Sequence, residues 1–250
     1  MPSKKVALCF LTYDNLSQPA LWSNFAHATE KYNIYIHNKN PCTGEFRKYC
    51  IKNRIETKWG DITLVKATLR LFKAAFDVSE NEYFVLLSDK CIPLYSPDEI
   101  YNSIGWLGNN VVSNYRLNSS RYDTLAKKHF FARYRFMKQN QWMILKRNTV
   151  GFFIKNDYTH IFGSNSAVPD EHYFINIMNK FNIGYVNRLI TYVNWKEDSD
   201  SKKHNRLPKT YDILTDNAVK RILRSGCLFM RKVSKECVLP SYFESKFSNT

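Results

Sequence analysis

Apolar residues fall into short runs and helical stripes that alternate along the chain. Val6–Leu11 is a continuous apolar run, as expected for a strand buried on both faces. Pro19–Thr29 follows as a helix with Leu21, Trp22 and Phe25 on one face, and Tyr32–His37 reads as a second strand. After Trp59-Gly60-Asp61, the spacing of Val65, Leu69, Phe72 and Phe76 predicts a helix, its stripe widened by Leu64, Leu71 and Ala75. Tyr83–Leu87 is the clearest buried strand, and Ser96-Pro97-Asp98-Glu99 is a capping box that opens another helix. Further elements are a strand around Gln141–Leu145, a helix over Pro169–Lys180, a strand over Leu189–Trp195, a helix over Thr215–Arg224 and a final strand over Cys227–Val233. Strands alternating with helices indicate an α/β fold with a mostly parallel central sheet flanked by helices. The expected organisation is a single domain over 1–235 with a C-terminal tail over 236–250. Ligands on such sheets bind beyond the carboxyl ends of the strands, where His37, Asp89 and Lys232 fall.

Composition narrows this picture. A chain of 250 residues with 44% hydrophobic content can build a proper core, which argues against disorder. No apolar run reaches the roughly 20 residues of a membrane span, and the N-terminus lacks signal-peptide layout, so a soluble, cytoplasmic protein is expected. The six cysteines show no zinc-ligand spacing; Cys9, Cys91 and Cys227 read as core residues, and Cys42 and Cys50 as reduced thiols. A net charge of +15 favours an anionic partner, whether nucleic acid, an anionic membrane surface or a phosphorylated small molecule. The densest basic cluster spans Arg116–Arg147 (Arg121, Lys127, Lys128, Arg133, Arg135, Lys138, Lys146), for which a solvated face is the default reading. Nucleic acid is disfavoured, because no RNA- or DNA-reading motif appears.

The carboxylate pair Asp170-Glu171 stands where a loop enters a helix, a place where active sites collect. Acids and a proline at a helix start are also ordinary capping chemistry, and on these residues alone that is the commoner explanation.

Eight segments stand in a recognisable order: Phe10-Leu11-Thr12, Tyr35-Ile36-His37, Lys58–Val65, Val85–Leu94, Gln141-Trp142, Asp170–Phe174, Thr191–Trp195 and Leu228–Lys232. Together they resemble the core-2/I-branching β-1,6-N-acetylglucosaminyltransferases (glycosyltransferase family 14), especially the plant-type branch, over about residues 4 to 235. The resemblance implies a GT-A-like nucleotide-sugar fold and inverting transfer from a UDP-sugar to a glycan hydroxyl. It also implies no metal and no other cofactor, because basic side chains neutralise the leaving diphosphate. UDP-N-acetylglucosamine leads as donor, with UDP-xylose and UDP-glucuronic acid as alternatives; a basic glycan- or nucleic-acid-binding protein without catalysis is the rival class.

By the resemblance Glu171 is the general base and Lys232 the phosphate-binding lysine, with Arg231 beside it. Lys209 falls where the animal enzymes place a second phosphate-binding arginine, although an insertion between His204 and Pro208 departs from the plant-type pattern. Thr12, His37, Trp59 and Asp89 line the expected donor side; Trp59 as a core tryptophan and His37 as a capped strand end are equally good readings. Asp89 replaces the plant-type glutamate. Asp170, Gln141, Trp142 and Trp195 are assigned to the acceptor side. Asp198-Ser199-Asp200 imitates an Asp-x-Asp metal motif but lies in a charged loop rather than at the end of the central strand, so no metal is expected there.

Overall fold

The first strand, β1 (Lys5–Thr12), buries Val6 to Phe10 without a break. In the computed structural model, which describes residues 4–27, 30–116, 136–163, 168–195 and 207–247, both faces of that strand are covered by helices. Helix α1 (Pro19–His27) places Trp22 edge-on against Phe10, with ring centroids 4.8 Å apart. After β2 (Tyr32–Asn38), helix α2 (Ile62–Phe76) begins at Asp61, whose carboxylate accepts the Thr63 N–H at 2.9 Å. Its Phe72 packs on Phe84 of β3 (Asn81–Ser88) at 6.1 Å. Phe84 is in register with Ala7, which lies three residues from Phe10 and therefore on the other face of β1. Helices α1 and α2 thus sandwich the sheet from opposite sides. The buried side of α2 is Val65, Thr68, Leu71, Phe72 and Ala75, while Leu69 and Phe76 of the expected stripe sit at its margin.

The chain continues through β4 (Ile92–Pro93), α3 (Pro97–Leu107), β5 (Asn110–Val111), β6 (Asn114–Arg116), β7 (Met137–Gln139), β8 (Ile144–Lys146) and α4 (Arg147–Lys155). Then come α5 (Tyr173–Lys180), β9 (Tyr185–Val186), β10 (Thr191–Val193), β11 (Tyr211–Ile213), α6 (Asp216–Leu223), β12 (Phe229–Arg231), β13 (Val233–Val238) and α7 (Ser241–Phe247). The central sheet has the order β2-β1-β3-β8-β5-β9, and only β8 runs against the rest. A smaller sheet, β10-β12-β4, and the pairs β11-β13 and β6-β7 complete the framework. The expected α/β architecture is the one observed.

Several expected boundaries shift. Gln141 and Trp142 precede β8 instead of lying in it, and the Leu189–Trp195 strand contracts to β10. The final strand breaks after Arg231, so Lys232 stands between β12 and β13. The helix expected from Pro169 is interrupted. Pro169–Glu171 forms a 3-10 turn, closed by the His172 N–H bond to the Pro169 carbonyl at 3.0 Å, and α5 starts only at Tyr173. From 236 onward the chain stays folded through Phe247: β13 runs to Val238, and Phe243 and Phe247 of α7 are buried, the latter 6.1 Å from Phe25.

The capping box holds α3 and α7 together. Glu99 accepts from the Ser96 N–H (2.8 Å) and hydroxyl (2.7 Å), and Lys246 of α7 reaches the same carboxylate at 2.9 Å. Despite the opposing effect of partial burial, these bonds hold the Glu99 carboxyl below its usual range. Glu99→Ala should destabilise the fold by about 1 kcal/mol, the usual cost of losing a cap. The deficit should shrink as pH falls through the carboxylate range, because the depressed group contributes only while ionised. Urea titrations at pH 7 and pH 3.5 check both statements.

Candidate active site

Register gathers the polar residues at one end of the sheet. Leu11 lies opposite both His37 and Ser88, and Thr12 opposite Asn38, so Thr12, His37, Asn38 and Asp89 share the carboxyl edge of three parallel strands. The His37 ring is buried and its Nε2 accepts the Ile55 N–H at 3.1 Å, which leaves the proton on Nδ1. Burial lowers the pKa of this histidine, keeping the ring neutral. Among the described residues, His37 Nδ1, Thr12 Oγ1 and Asn38 Oδ1 are buried without a hydrogen-bond partner. Buried polar atoms of this kind call for an explanation, and three at one strand edge suit a ligand that hydrogen-bonds there. Beside them opens a cavity of about 400 Å³ lined by Asn38, Cys42, Arg47, Cys50, Lys52 and Arg54.

Across β3 lies a cluster of cations. Asp89 follows β3, is 8% exposed, and has its carboxyl raised by burial despite a hydrogen bond from the Asp14 backbone and the attraction of Lys90 and Arg231. Arg231 is partly buried, with its guanidinium 4.5 Å from the centre of the Trp142 ring. Its pKa is depressed by burial, opposed by Cys91 and Asp89. Lys232 is pulled down from the ordinary lysine value by burial, then by repulsion from Arg231 and Lys90. The backbone explains this crowding, since the Val233 N–H bonds the Lys90 carbonyl at 3.1 Å. Three cations around one carboxylate leave a surplus of positive charge partly shielded from water, which suits an anion. Lys209 is tied to the cluster through its backbone, its carbonyl accepting the Lys232 N–H at 3.4 Å, while its ammonium lies 5.3 Å from the Tyr211 ring centre.

Glu171 belongs to a second cluster. Its Oε2 is 2.6 Å from Nζ of Lys138, and both side chains are about a quarter exposed. Asp170 is buried, and burial, helped by the Glu171 charge, pushes its carboxyl up to about 7. Its Oδ1 has no hydrogen-bond partner among the described residues. His172 is enclosed, stacked on Phe136 with ring centroids 5.2 Å apart; its Nδ1 lies 3.0 Å from the Met137 carbonyl, and burial lowers its pKa to about 4.

Two connections join the clusters. Helix α2 packs against β1 and β2 and also against the 169–171 turn. The segment Lys138–Trp142 carries the partner of Glu171 at one end and the partner of Arg231 at the other. Four residues span at most roughly 14 Å, which bounds the backbone separation between the two partners.

The remaining expected site residues are placed differently. Trp59 is 85% exposed on the turn before α2, which excludes the core reading. Trp195 is 50% exposed just beyond β10, an open aromatic face. Trp142 is buried beneath Arg231, so it belongs with the cation cluster instead of presenting an open ring to an acceptor. Gln141 is half-buried beside it. Asp198, Asp200, His204 and most of the basic run (Arg121, Lys127, Lys128, Arg133 and Arg135) lie outside the described residues. Sequence reasoning did not single out Asn38, Lys90 or the pairing of Lys138 with Glu171. Lys90 was within a motif already noted, but nothing local signals a contact across 33 positions.

Comparison with known protein families finds one match over most of the chain. A family model described as Core-2/I-Branching enzyme matches residues 6–223. The "Glycosyltransferase BC10" of rice (Oryza sativa subsp. japonica) is 20% identical over an alignment that covers 84% of this chain and 62% of that protein. The chain thus spans less than two thirds of that relative's length. Among solved structures, an apo WbbM bifunctional glycosyltransferase aligns at a TM-score of 0.42 with 10% identity, covering all of this chain and 50% of that one. A CMP:2-keto-3-deoxy-manno-octonic acid synthetase complexed with CTP aligns at 0.38 with 10% identity, covering 73% and 88%. Likenesses of that size carry no weight for fold or function. Among the described residues, no helix is long and apolar enough to cross a membrane.

Proposed function

The chain belongs to the core-2/I-branching enzyme family, and on that premise we propose that it is an inverting glycosyltransferase of GT-A-like fold. It moves a sugar, with N-acetylglucosamine the first candidate, from a UDP-sugar to a glycan hydroxyl. The observation that carries this reading is the meeting of Lys90, Arg231 and Lys232 at the carboxyl edge of the strands, within one short segment of the Glu171 carboxylate.

Glu171 takes the proton of the acceptor hydroxyl as its oxygen attacks the anomeric carbon. The bond from that carbon to the UDP oxygen breaks on the opposite face, inverting the centre. The departing diphosphate gains negative charge, and Lys232, supported by Arg231, stabilises it more than the bound donor. Trp142 holds Arg231 through its ring face, a cation–π contact favoured in a desolvated site. The unsatisfied Thr12, His37 and Asn38 atoms, with the basic cavity beside them, face the nucleoside part of the donor. Trp195 and Trp59 offer aromatic faces on which sugar rings can pack.

In this reading side-chain cations do the work a divalent metal does elsewhere, and no metal is required. Calorimetric titration with UDP, UDP-N-acetylglucosamine, UDP-xylose and UDP-glucuronic acid, each with EDTA and with manganese, tests it. The expected result is binding of UDP and one UDP-sugar, unchanged by EDTA. Binding that needs manganese would overturn the metal-independent reading. Salt-sensitive binding to arbitrary oligonucleotides with no response to any UDP compound would favour the basic binding-protein reading, and UDP binding without turnover a non-catalytic glycan binder.

A further inference from the structure

Strand β7 is fastened to the first turn of α5 by side chains buried for no other evident purpose. Asn176 accepts the Met137 N–H at 2.8 Å and donates its amide to the Met137 carbonyl at 2.8 Å and to the His172 carbonyl at 2.7 Å. Gln139 accepts the Ile175 N–H at 2.6 Å. His172, the residue before α5, makes no side-chain cap, so Gln139 reaching across from β7 satisfies one of the helix's orphan donors. Gln139, His172 and Asn176 are all buried, where an unmade hydrogen bond is costly. Residues 137 and 139 are therefore both locked to the helix that follows Glu171. Lys138 stands between them, opposite Tyr115 in β6, with its ammonium 2.6 Å from Glu171 and 5.9 Å from the Tyr115 ring centre.

We propose that Lys138 is a positioning residue for the catalytic carboxylate: the β7–α5 clamp fixes its ammonium so that it orients Glu171. The proposal rests on the reading of Glu171 as general base. Two effects compete here. A neighbouring cation weakens a base, which opposes proton uptake from the acceptor. Against that, a base acts only from the orientation in which it meets the acceptor hydroxyl, and a cation 2.6 Å from its Oε2 holds it there. Burial and the Glu171 charge push the Asp170 carboxyl up to about 7, opposed by a backbone hydrogen bond and then by the charge of Lys138. Orientation of the carboxylate is thus what the Lys138 contact supplies. The interaction is mutual: partial burial disfavours the charged lysine, but the bond to Glu171 outweighs it and raises the Lys138 pKa. Lys138 neither gives nor takes a proton in transfer; it stays charged while Glu171 becomes neutral. Among the described residues, the charged or titratable neighbours of this pair are Asp170 and His172 on the turn and Tyr115 on β6.

The test compares Lys138→Met and Lys138→Arg with the parent protein in two measurements. The first is a carbon-13 titration of the Asp170 carboxyl, assigned with Asp170→Asn, which needs no substrate. Lys138→Met should raise its midpoint above about 7 by about one unit, the lower end of what a nearby opposite charge does. Lys138→Arg should restore it. The second is the pH profile of UDP-N-acetylglucosamine turnover to water. Lys138→Met should move the acid limb to higher pH and lower the plateau kcat about tenfold, with KM for the donor within twofold of the parent, and arginine should recover both. An unmoved Asp170 midpoint overturns the electrostatic coupling. A moved midpoint with unchanged kcat and acid limb overturns the positioning role. A moved midpoint in a protein that turns over no UDP-sugar at any pH overturns the base reading and the positioning role with it, an outcome distinct from failure of the ion pair. A raised donor KM with normal kcat would place Lys138 in donor binding and equally overturn the proposal.

Discussion

Glu171→Gln should slow transfer by roughly two to four orders of magnitude in kcat, the usual contribution of a positioned general base. Glutamine keeps the shape of the side chain and can still accept a hydrogen bond from Lys138, so the turn and the clamp behind it stay in place. It cannot take the acceptor proton. Affinity for UDP should stay within twofold of the parent value, because the cations read as holding the diphosphate, Lys90, Arg231 and Lys232, belong to the other cluster. Single-turnover kinetics beside calorimetric titration of UDP separates the two quantities. Residual turnover within tenfold of the parent would remove Glu171 from the role and point to Asp170, the other carboxylate of the pair. Loss of UDP affinity in step with rate would instead mean that the turn supports donor binding.

The fold was legible where local pattern and tertiary packing ask for the same thing. Val6–Phe10 and Phe84–Leu87 read as buried strands because both their faces are covered, which turns alternation into a continuous apolar run. The Ser96–Glu99 box was readable because its bonds stay within one turn. What could not be read depends on distant partners. The break at His172 follows from bonds to Met137, 35 positions away, and the pairing of Glu171 with Lys138 spans a similar distance. A basic run looks like a solvated face until folding picks out one lysine and buries part of it against a carboxylate. Trp59 shows the reverse case: its sequence neighbourhood resembles a helix start, and only the structure shows how far the ring stands out in solvent. Burial of Arg231 was equally hidden, since the strand pattern alone does not say that Trp142 arrives from a different segment to cover it.

Lys232→Ala should weaken UDP binding about tenfold and lower kcat by about a further hundredfold, the range found when one preorganised donor to a developing anion is removed. The larger effect on kcat follows from timing. Negative charge on the bridging oxygen appears as the sugar bond breaks, so a cation placed there gains more in the transition state than in the bound donor. The position of Lys232 between two strands supports a strong effect, because its backbone is held on both sides, by the Tyr211 N–H at 2.8 Å and by the Lys209 carbonyl. Burial, Arg231 and Lys90 lower its pKa, so donor affinity should fall on the alkaline side earlier than an ordinary lysine would allow. Bound diphosphate counteracts this by favouring the charged form, and the alkaline decline should therefore move to higher pH when saturating UDP-sugar is present. Lys209→Ala is the internal control: its ammonium lies over the Tyr211 ring, and its removal should cost only a few-fold. Equal losses for the two lysines would mean that bulk positive charge, not the seat between β12 and β13, binds the donor, and raising the ionic strength would then erase the difference from the parent protein.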